Sequence, residues 1–418
     1  MATPKLGSLV IEGKTKRVFE LPEREGLVFV QSKDRITAGD GVKAHDLEGK
    51  AAISTATTAK VFELLNAAGI PTHFVEMSGE TSFIAEMCDM VPIEWVTRRL
   101  ATGSFLKRNP GVPEGFRFAP PCQETFFKDD ANHDPQWSLE QVICANFKLN
   151  GVSIGQEEVL AMKRMTLCVF EVLERAWSTL DCVLVDMKIE FGVTSEGRLV
   201  VADVVDSDSW RLWPSGDKRL MKDKQVYRDL GTEVTKQHLE TVKRNFQWVA
   251  DQLGKLVPQP RGRAVVFMGS ASDEAHCREI ERHCRDLGVP CELRVSSAHK
   301  GPHDTLRMAA EYEAEAERPL VLIAVAGRSN GLGPVLSGNV SCPVINCPPG
   351  ATTGTDVWSS LNVPSGLGCA TVLYPAAAAL AAAAILGQTD HVIWAKLRAR
   401  QMNTACALLQ ADKKLKHK

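Results

Sequence analysis

The chain has 418 residues, a formal net charge of −2 and 24% charged residues. That length allows two or three domains with real cores, and the near balance of charge excludes a polyanion-binding surface as its main role. Its twelve cysteines form no CxxC pairs and have no histidines at metal spacing, a pattern of reduced thiols and not of a disulfide frame or zinc site. The N-terminus MATPKLGSLVIEGKTK lacks the apolar stretch of a signal peptide, and the longest apolar run, Pro375–Leu386, is too short to span a bilayer. These features predict a cytosolic protein that binds neither nucleic acid nor membrane.

The first half opens with short strands, Val10–Leu21 and Leu27–Ser32. Between two β-rich pieces stands Glu12-Gly13-Lys14-Thr15-Lys16, where glycine would let backbone amides approach a phosphate and two lysines add charge. The following helix of a P-loop is missing, and an ordinary hairpin turn reads the same way. Asp34-Arg35-Ile36-Thr37-Ala38-Gly39-Asp40 is a second polar loop, and Ala51–Ala68 carries helix signals. In Ile93–Arg108, four basic residues (Arg98, Arg99, Lys107, Arg108) flank Thr102-Gly103-Ser104, which suits either an anionic sugar phosphate or a solvated face. Lys128–Pro135 is a loop dense in ionisable groups, and Glu157–Ala176 and Thr235–Leu253 are helical. Strands first and helices segregated is α+β order.

Leu184–Pro214 is the most informative stretch. Asp186, Lys188 and Glu190 share one parity while Val185, Met187, Ile189 and Phe191 share the other, so a strand would present charges on one face and a core on the other. A turn at Ser195-Glu196-Gly197 and the β-branched run Leu199–Val205 complete a hairpin. Such a hairpin would gather Asp186, Glu190 and Asp203 around one lysine. Oxygen ligands of this kind suit Mg²⁺, although an exposed face of alternating charge has the same pattern. Arg211 is placed to hold a carboxylate or phosphate.

Leu253–Arg263 holds two prolines and two glycines without a periodic apolar face and reads as a linker. Beyond it strands and helices alternate: Ala264–Met268, Asp273–Leu287, Cys291–Val295, Pro302–Ala316, Leu320–Ala326 and Pro343–Asn346. This order predicts a parallel sheet covered on both faces. Three loops then fall on one rim. Met268-Gly269-Ser270-Ala271-Ser272-Asp273 opens a helix, where anions bind or where Ser272 and Asp273 simply cap it. Ser296–Pro302 carries His299, whose ordinary pKa suits proton transfer near neutrality, beside Lys300. Ala326–Asn339 is rich in glycine. Pro375–Leu386 and the helix His391–Ala411 are apolar enough for a buried interface or a core, and Lys413–Lys418 reads as a solvated tail.

EGKTK, DRITAGD, RRLATGSFLKR, KDDANHDP, LVDMKIEFG and DSWRLWP stand in an order that resembles the SAICAR synthetase family over residues 5–255. The resemblance implies an ATP-grasp-like, kinase-reminiscent α+β domain over residues 1–255. It would use ATP and Mg²⁺ to join the carboxylate of the ribotide CAIR to the amine of L-aspartate. Carried over by position, Lys14 and Lys16 would hold ATP phosphates, and Asp186, Glu190 and Asp203 the metal. Arg98, Ser104, Arg211 and Arg228 would hold CAIR, with Lys128, Asp134 and Lys188 near the reacting groups.

MGSASD, SSAHKGP, AGRSNGLGP and SGLGCATVL resemble the class II AIR carboxylase family over residues 263–405. That implies a flavodoxin-like three-layer α/β domain over residues 263–418, after a linker at 256–262, which carboxylates AIR with CO₂ and needs neither ATP nor biotin. Ser270, Ser272 and Asp273 would hold the ribose phosphate of AIR, Ser297, Lys300 and Ser329 the CO₂ site, and His299 would take the ring proton. Beside that family, Cys347–Trp358 looks shorter than the stretch animal relatives usually carry. Ligase first and carboxylase second is the order of animal bifunctional enzymes of purine synthesis, which implies a homo-octamer. The rival readings are a synthetase fused to a silent ribotide-binding module, and a scaffold with dead sites.

Overall fold

A computed structural model describes residues 4–38, 42–231, 234–256, 260–315, 317–350 and 354–416. It divides into two compact units: Met1–Val257 with Ala399–Lys418, and Pro258–Arg398.

The first unit is built on antiparallel sheets, as the strand-first order predicts. One runs Leu9–Glu12, Lys16–Glu20, Leu27–Ser32, Ser82–Glu86, Phe74–Met77, with the helix Lys50–Ala68 packed on it. The centre of the other is the thirteen-residue strand Cys182–Thr194. It pairs with Cys88–Met90, Ile93–Leu100, Leu199–Ala202 and Trp210–Pro214, and the helix Gln156–Ser178 covers it. The expected hairpin is present: Glu190 lies opposite Ala202, and the turn uses Gly197 in the left-handed region at φ 75°. The expected charged face is present but closed off from solvent. Asp186 and Glu190 are 4% and 2% exposed, because Arg98 from a neighbouring strand and Lys128 from a loop close over them.

The helices Lys50–Ala68, Gln156–Ser178 and Lys236–Leu253 lie where apolar spacing puts them. Thr235 caps the last by accepting from the His238 amide, and its side-chain contact replaces one of the amide partners missing at a helix start. The segment DRITAGD forms the strand Arg35–Ala38, paired with Lys43–Asp46, while Gly39 and Asp40 lie outside the described residues. The linker is less open than its composition suggests, since Leu253 and Leu256 are each 1% exposed. The C-terminal run is largely exposed, as expected, but helical and anchored at one point. The helix His391–Lys416 continues through it, and the Lys413 ammonium donates to the buried Glu158 carboxylate at 2.6 Å.

The second unit is a parallel sheet ordered Cys291–Val295, Arg263–Met268, Leu320–Val325, Val344–Asn346, Ala370–Thr371. In strand sequence this is 2-1-3-4-5, the flavodoxin-like order. Side chains alternate between two cores. Ala264, Val266 and Met268 face a cluster with Ile280, Ala379 and Ala383, while Val265 and Phe267 face Ala309, Tyr312 and Leu332. The buried face of Pro375–Leu386 is therefore core. The predicted helix Pro302–Ala316 is found as Pro302–Glu313, with Ala316 outside the described residues.

Candidate active sites

The first unit encloses a cavity of about 1050 Å³. Lys14, Lys16, Arg98, Ser104, Asp134, Asp186, Lys188, Asp203, Arg211 and Arg228 line it, which brings together most of the residues expected there. Lys128 and Glu190 stand behind that lining, joined to it through Lys188.

Strand geometry explains the arginines. Arg98 and Arg99 are adjacent in a strand, so they leave on opposite faces. Arg99 goes to Glu174 on the covering helix, while Arg98 donates from Nη1 to Asp186 at 2.7 Å and from Nε to Glu124 at 2.5 Å. Arg211 reaches the same Asp186 oxygen at 2.6 Å. Gly103 makes this approach possible, because a Cβ there would lie 2.6 Å from Arg211 Nη2 and its φ is +59°.

The three acids do not share one lysine. Asp186 and Glu190 are four residues apart, about 13 Å along a strand, beyond the reach of a single ammonium. Asp186 takes the two arginines, Lys188 bridges Glu190 and Glu94, and Lys16 pairs with Asp203. Burial alone would raise the Glu190 pKa, but Lys188 and Lys128 outweigh it and hold it down to about 2. Burial likewise opposes the Lys188 charge, yet Glu190 and Glu94 keep its pKa above the ordinary lysine value. Burial pulls Lys16 down to about 8, with Glu190 working the other way. A value of about 8 still leaves Lys16 mostly an ammonium at neutral pH, where it pairs with Asp203.

Among the described residues no three His, Cys, Asp or Glu groups converge as a metal set. Glu190 and Asp203 both bear on Lys16, Asp203 by direct pairing and Glu190 through its charge. Two carboxylates beside one cavity suit Mg²⁺, with phosphate oxygens as its further ligands. Asp203 sits at φ 66°, and its carbonyl lies 2.9 Å from Nε2 of the buried His73. Lys14 meets Asp130 at 2.9 Å, which ties the EGKTK turn to the KDDANHDP loop. In that loop His133 and Asp134 are consecutive left-handed residues that face the cavity.

The cavity also holds groups that the sequence reading missed. Lys50, 2% exposed, and Lys224 both approach Asp208 Oδ2, at 3.2 and 3.3 Å. Asp206 accepts from Ser54. A lysine at the first residue of a helix, as Lys50 is, carries no sequence mark of burial. Asp208, the first residue of the DSWRLWP motif, was the one available signal.

The second unit has a cavity of about 490 Å³ at the carboxyl ends of the strands Cys291–Val295, Arg263–Met268 and Leu320–Val325. Ser270, Ser272, Asp273, Ser297, His299, Lys300 and Ser329 all line it. Ser270 Oγ accepts from the Ser272 amide at 3.3 Å and lies 2.9 Å from its hydroxyl. The glycine-rich loop closes on the histidine: a Cβ on Gly331 would lie 2.6 Å from His299 Nε2. Arg328, which sequence reasoning passed over, also faces this cavity.

The SAICAR synthetase family matches residues 9–245 and the AIR carboxylase family residues 263–406. The Drosophila melanogaster bifunctional phosphoribosylaminoimidazole carboxylase/phosphoribosylaminoimidazole succinocarboxamide synthetase is 63% identical, over 99% of this chain and 96% of its own. The chain belongs to this bifunctional family. The Homo sapiens protein of the same name is 57% identical, over 98% of this chain and 97% of its own. A SAICAR synthetase (type 2) solved in complex with ADP superposes on the synthetase half with a TM-score of 0.50 at 30% identity, over 58% of this chain and 98% of its own. The bifunctional family joins two activities of purine biosynthesis, and its two halves here are two separate folds, each with its own cavity.

Proposed function

We propose that the two cavities divide the family's reactions, the second making CAIR and the first consuming it. The observation that carries this reading is the ring of serines, Lys300 and Ser329 around His299, at the rim where a doubly wound sheet binds ligands.

In the carboxylase half, Ser270 and Ser272 hold the ribose phosphate of AIR, and Asp273 is suited to its hydroxyls. The enamine-like C4 of AIR attacks CO₂, held by Ser297 and Ser329 and polarised by Lys300. The new C–C bond places negative charge on the carboxylate, and His299 then removes the C4 proton to restore the aromatic ring. No biotin is required, because CO₂ itself is the electrophile.

In the synthetase half, Lys14 and Lys16 hold ATP phosphates, and Glu190 with Asp203 would hold Mg²⁺. The metal, when bound, neutralises phosphate charge during transfer. Arg98 and Arg211, aligned on Asp186, hold CAIR with Ser104 and Arg228. The CAIR carboxylate attacks the γ-phosphorus and ADP leaves. The amine of aspartate then attacks the acyl carbon and phosphate departs, with Lys128, Lys188 and Asp134 around the reacting groups. Positioning and charge suffice for these steps, so no protein nucleophile is needed. The ADP-bound relative supports the nucleotide assignment.

We assign residues 1–255 to the synthetase and 263–418 to the carboxylase by family match, with the stretch from Ala399 packed in the first compact unit. We also propose a cytosolic homo-octamer. Free cysteines support the compartment, and among the described residues no helix is long and apolar enough to cross a membrane. Mass photometry of the full chain measures the oligomer.

The deciding experiment omits one component at a time from AIR, labelled bicarbonate, Mg-ATP and aspartate. Label enters CAIR without ATP or aspartate and reaches SAICAR only with both. Carboxylation that needs ATP overturns the direct CO₂ step. Conversion of added CAIR without any carboxylation favours a silent ribotide-binding module.

A further inference from the structure

Behind the second cavity lies a polar network that touches none of the groups assigned above to substrate. Asn330, 2% exposed, donates from Nδ2 to Ser360 Oγ at 2.9 Å, and its Oδ1 accepts from the Gly333 amide at 3.1 Å. Its own amide donates to Ser359 Oγ at 2.9 Å. Ser359 Oγ lies 2.7 Å from the Asp356 carbonyl and 3.1 Å from the Arg328 carbonyl, so its single hydrogen serves one of them at a time. The Arg328 amide donates to Asp356 Oδ2 at 2.9 Å. Residues 356–360 thus form a strap across residues 328–333, and every bond named here holds backbone or buried amide.

The held loop is under conformational constraint. Arg328 sits at φ 57°, a left-handed setting that a side-chain-bearing residue adopts only when its surroundings fix it. Gly333 packs so close to the buried Asn346 that a Cβ would lie 1.8 Å from Asn346 Oδ1. At the front of the same loop, Gly331 abuts His299 Nε2 and Ser329 faces the cavity. A loop gripped at Arg328, Asn330 and Gly333 has little freedom at Ser329 and Gly331 between them.

We propose that Asn330 and Asp356 are positioning residues for carboxylation, setting the AGRSNG backbone against the imidazole of His299. Neither lines the cavity. Both act through the loop, and the inference rests on the reading of His299 given above. Two consequences follow from this arrangement. Loosening the strap harms turnover, where the base must meet the C4 proton, more than ribotide binding, which uses the separate Ser270–Asp273 segment. An oxygen at position 356 suffices, because the bond it makes is to a backbone amide.

The test uses the full chain with Asn330→Ala, Asp356→Ala, Asp356→Asn and His299→Asn, measuring carboxylation of AIR and synthesis from added CAIR. Asn330→Ala should lower carboxylation kcat on the order of a hundredfold, the effect of a displacement of about an ångström at a reacting centre, with KM for AIR nearly unchanged. Asp356→Ala should lower kcat roughly tenfold, and Asp356→Asn should restore it. Synthesis from CAIR, at the other cavity, should not move in any variant. Full carboxylation by both alanine variants overturns the inference. So does a loss carried by KM, or an Asp356→Asn variant as slow as Asp356→Ala. If Asn330→Ala fails to fold, the exposed Asp356 pair still decides. Should His299→Asn itself carboxylate, the reading of His299 falls and the strap with it. An inactive His299→Asn beside fully active Asn330→Ala and Asp356→Ala variants defeats the strap alone.

Discussion

Asp186 holds two guanidinium groups on one carboxylate oxygen, and so fixes how the synthetase cavity presents positive charge. Arg98 and Arg211 are in place before any anion arrives, which reduces the ordering cost of binding. Asp186→Asn leaves Arg98, 3% exposed, with Glu124 alone and Arg211 without its carboxylate, and should destabilise the synthetase unit by about 3 kcal/mol. Urea unfolding measures that loss, and KM for CAIR should rise with it. Glu190 ties stability to pH. Its pKa is lowered from 4.5 to about 2, so its contribution is complete above 4.5 and disappears as pH falls towards 2. The shift corresponds to roughly 3 kcal/mol. Glu190→Gln should remove that contribution at neutral pH and flatten the acid limb, as read by unfolding midpoints between pH 3 and 7. Alternation along LVDMKIEFG made both acids visible in the sequence. Their partners were hidden, since Arg98 comes from a strand 88 residues away and Lys128 from a loop 62 away.

Among the elements, the strand Cys182–Thr194 organises the synthetase unit, because four other strands bond to it. Its position was legible from a period of two; the burial of Asp186 and Glu190 was not, because a run of Asp, Lys and Glu reads as solvent-facing until partners are known. The second unit was more legible. Three of its first four strands are short apolar runs followed by a turn motif and buried on both faces, while Cys291–Val295, at the sheet edge, carries Glu292 and Arg294 and stays partly exposed. The C-terminal helix was misread for the opposite reason, since lysines suggest solvent and Lys413 instead covers Glu158. Glu158 also accepts from the Gly155 amide at the start of its own helix, at 3.1 Å. Glu158→Ala removes a cap and a buried ion-pair partner together and should cost about 2 kcal/mol in the synthetase transition, measured by thermal unfolding. Lys413→Ala, which leaves the cap intact, should cost less.

For the molecule as a whole, two cavities on two folds predict activities that can be removed one at a time. His299→Asn should abolish carboxylation and leave synthesis from added CAIR at the wild-type rate. Chelation of Mg²⁺ should do the reverse, stopping synthesis while label still enters CAIR. Both are read in one assay by separating the two ribotide products. The order of the two halves was legible from their motifs. That residues from Ala399 onward pack with the first unit was not, because nothing in a single helical stretch names its distant partner.

That last arrangement has a consequence for how the protein is made. In sequence, the carboxylase unit Pro258–Arg398 is enclosed between two pieces of the synthetase unit. Residues 258–398 are therefore made before the last piece of the first unit, and a chain cut short before Ala399 would leave that unit without the Lys413 partner of Glu158.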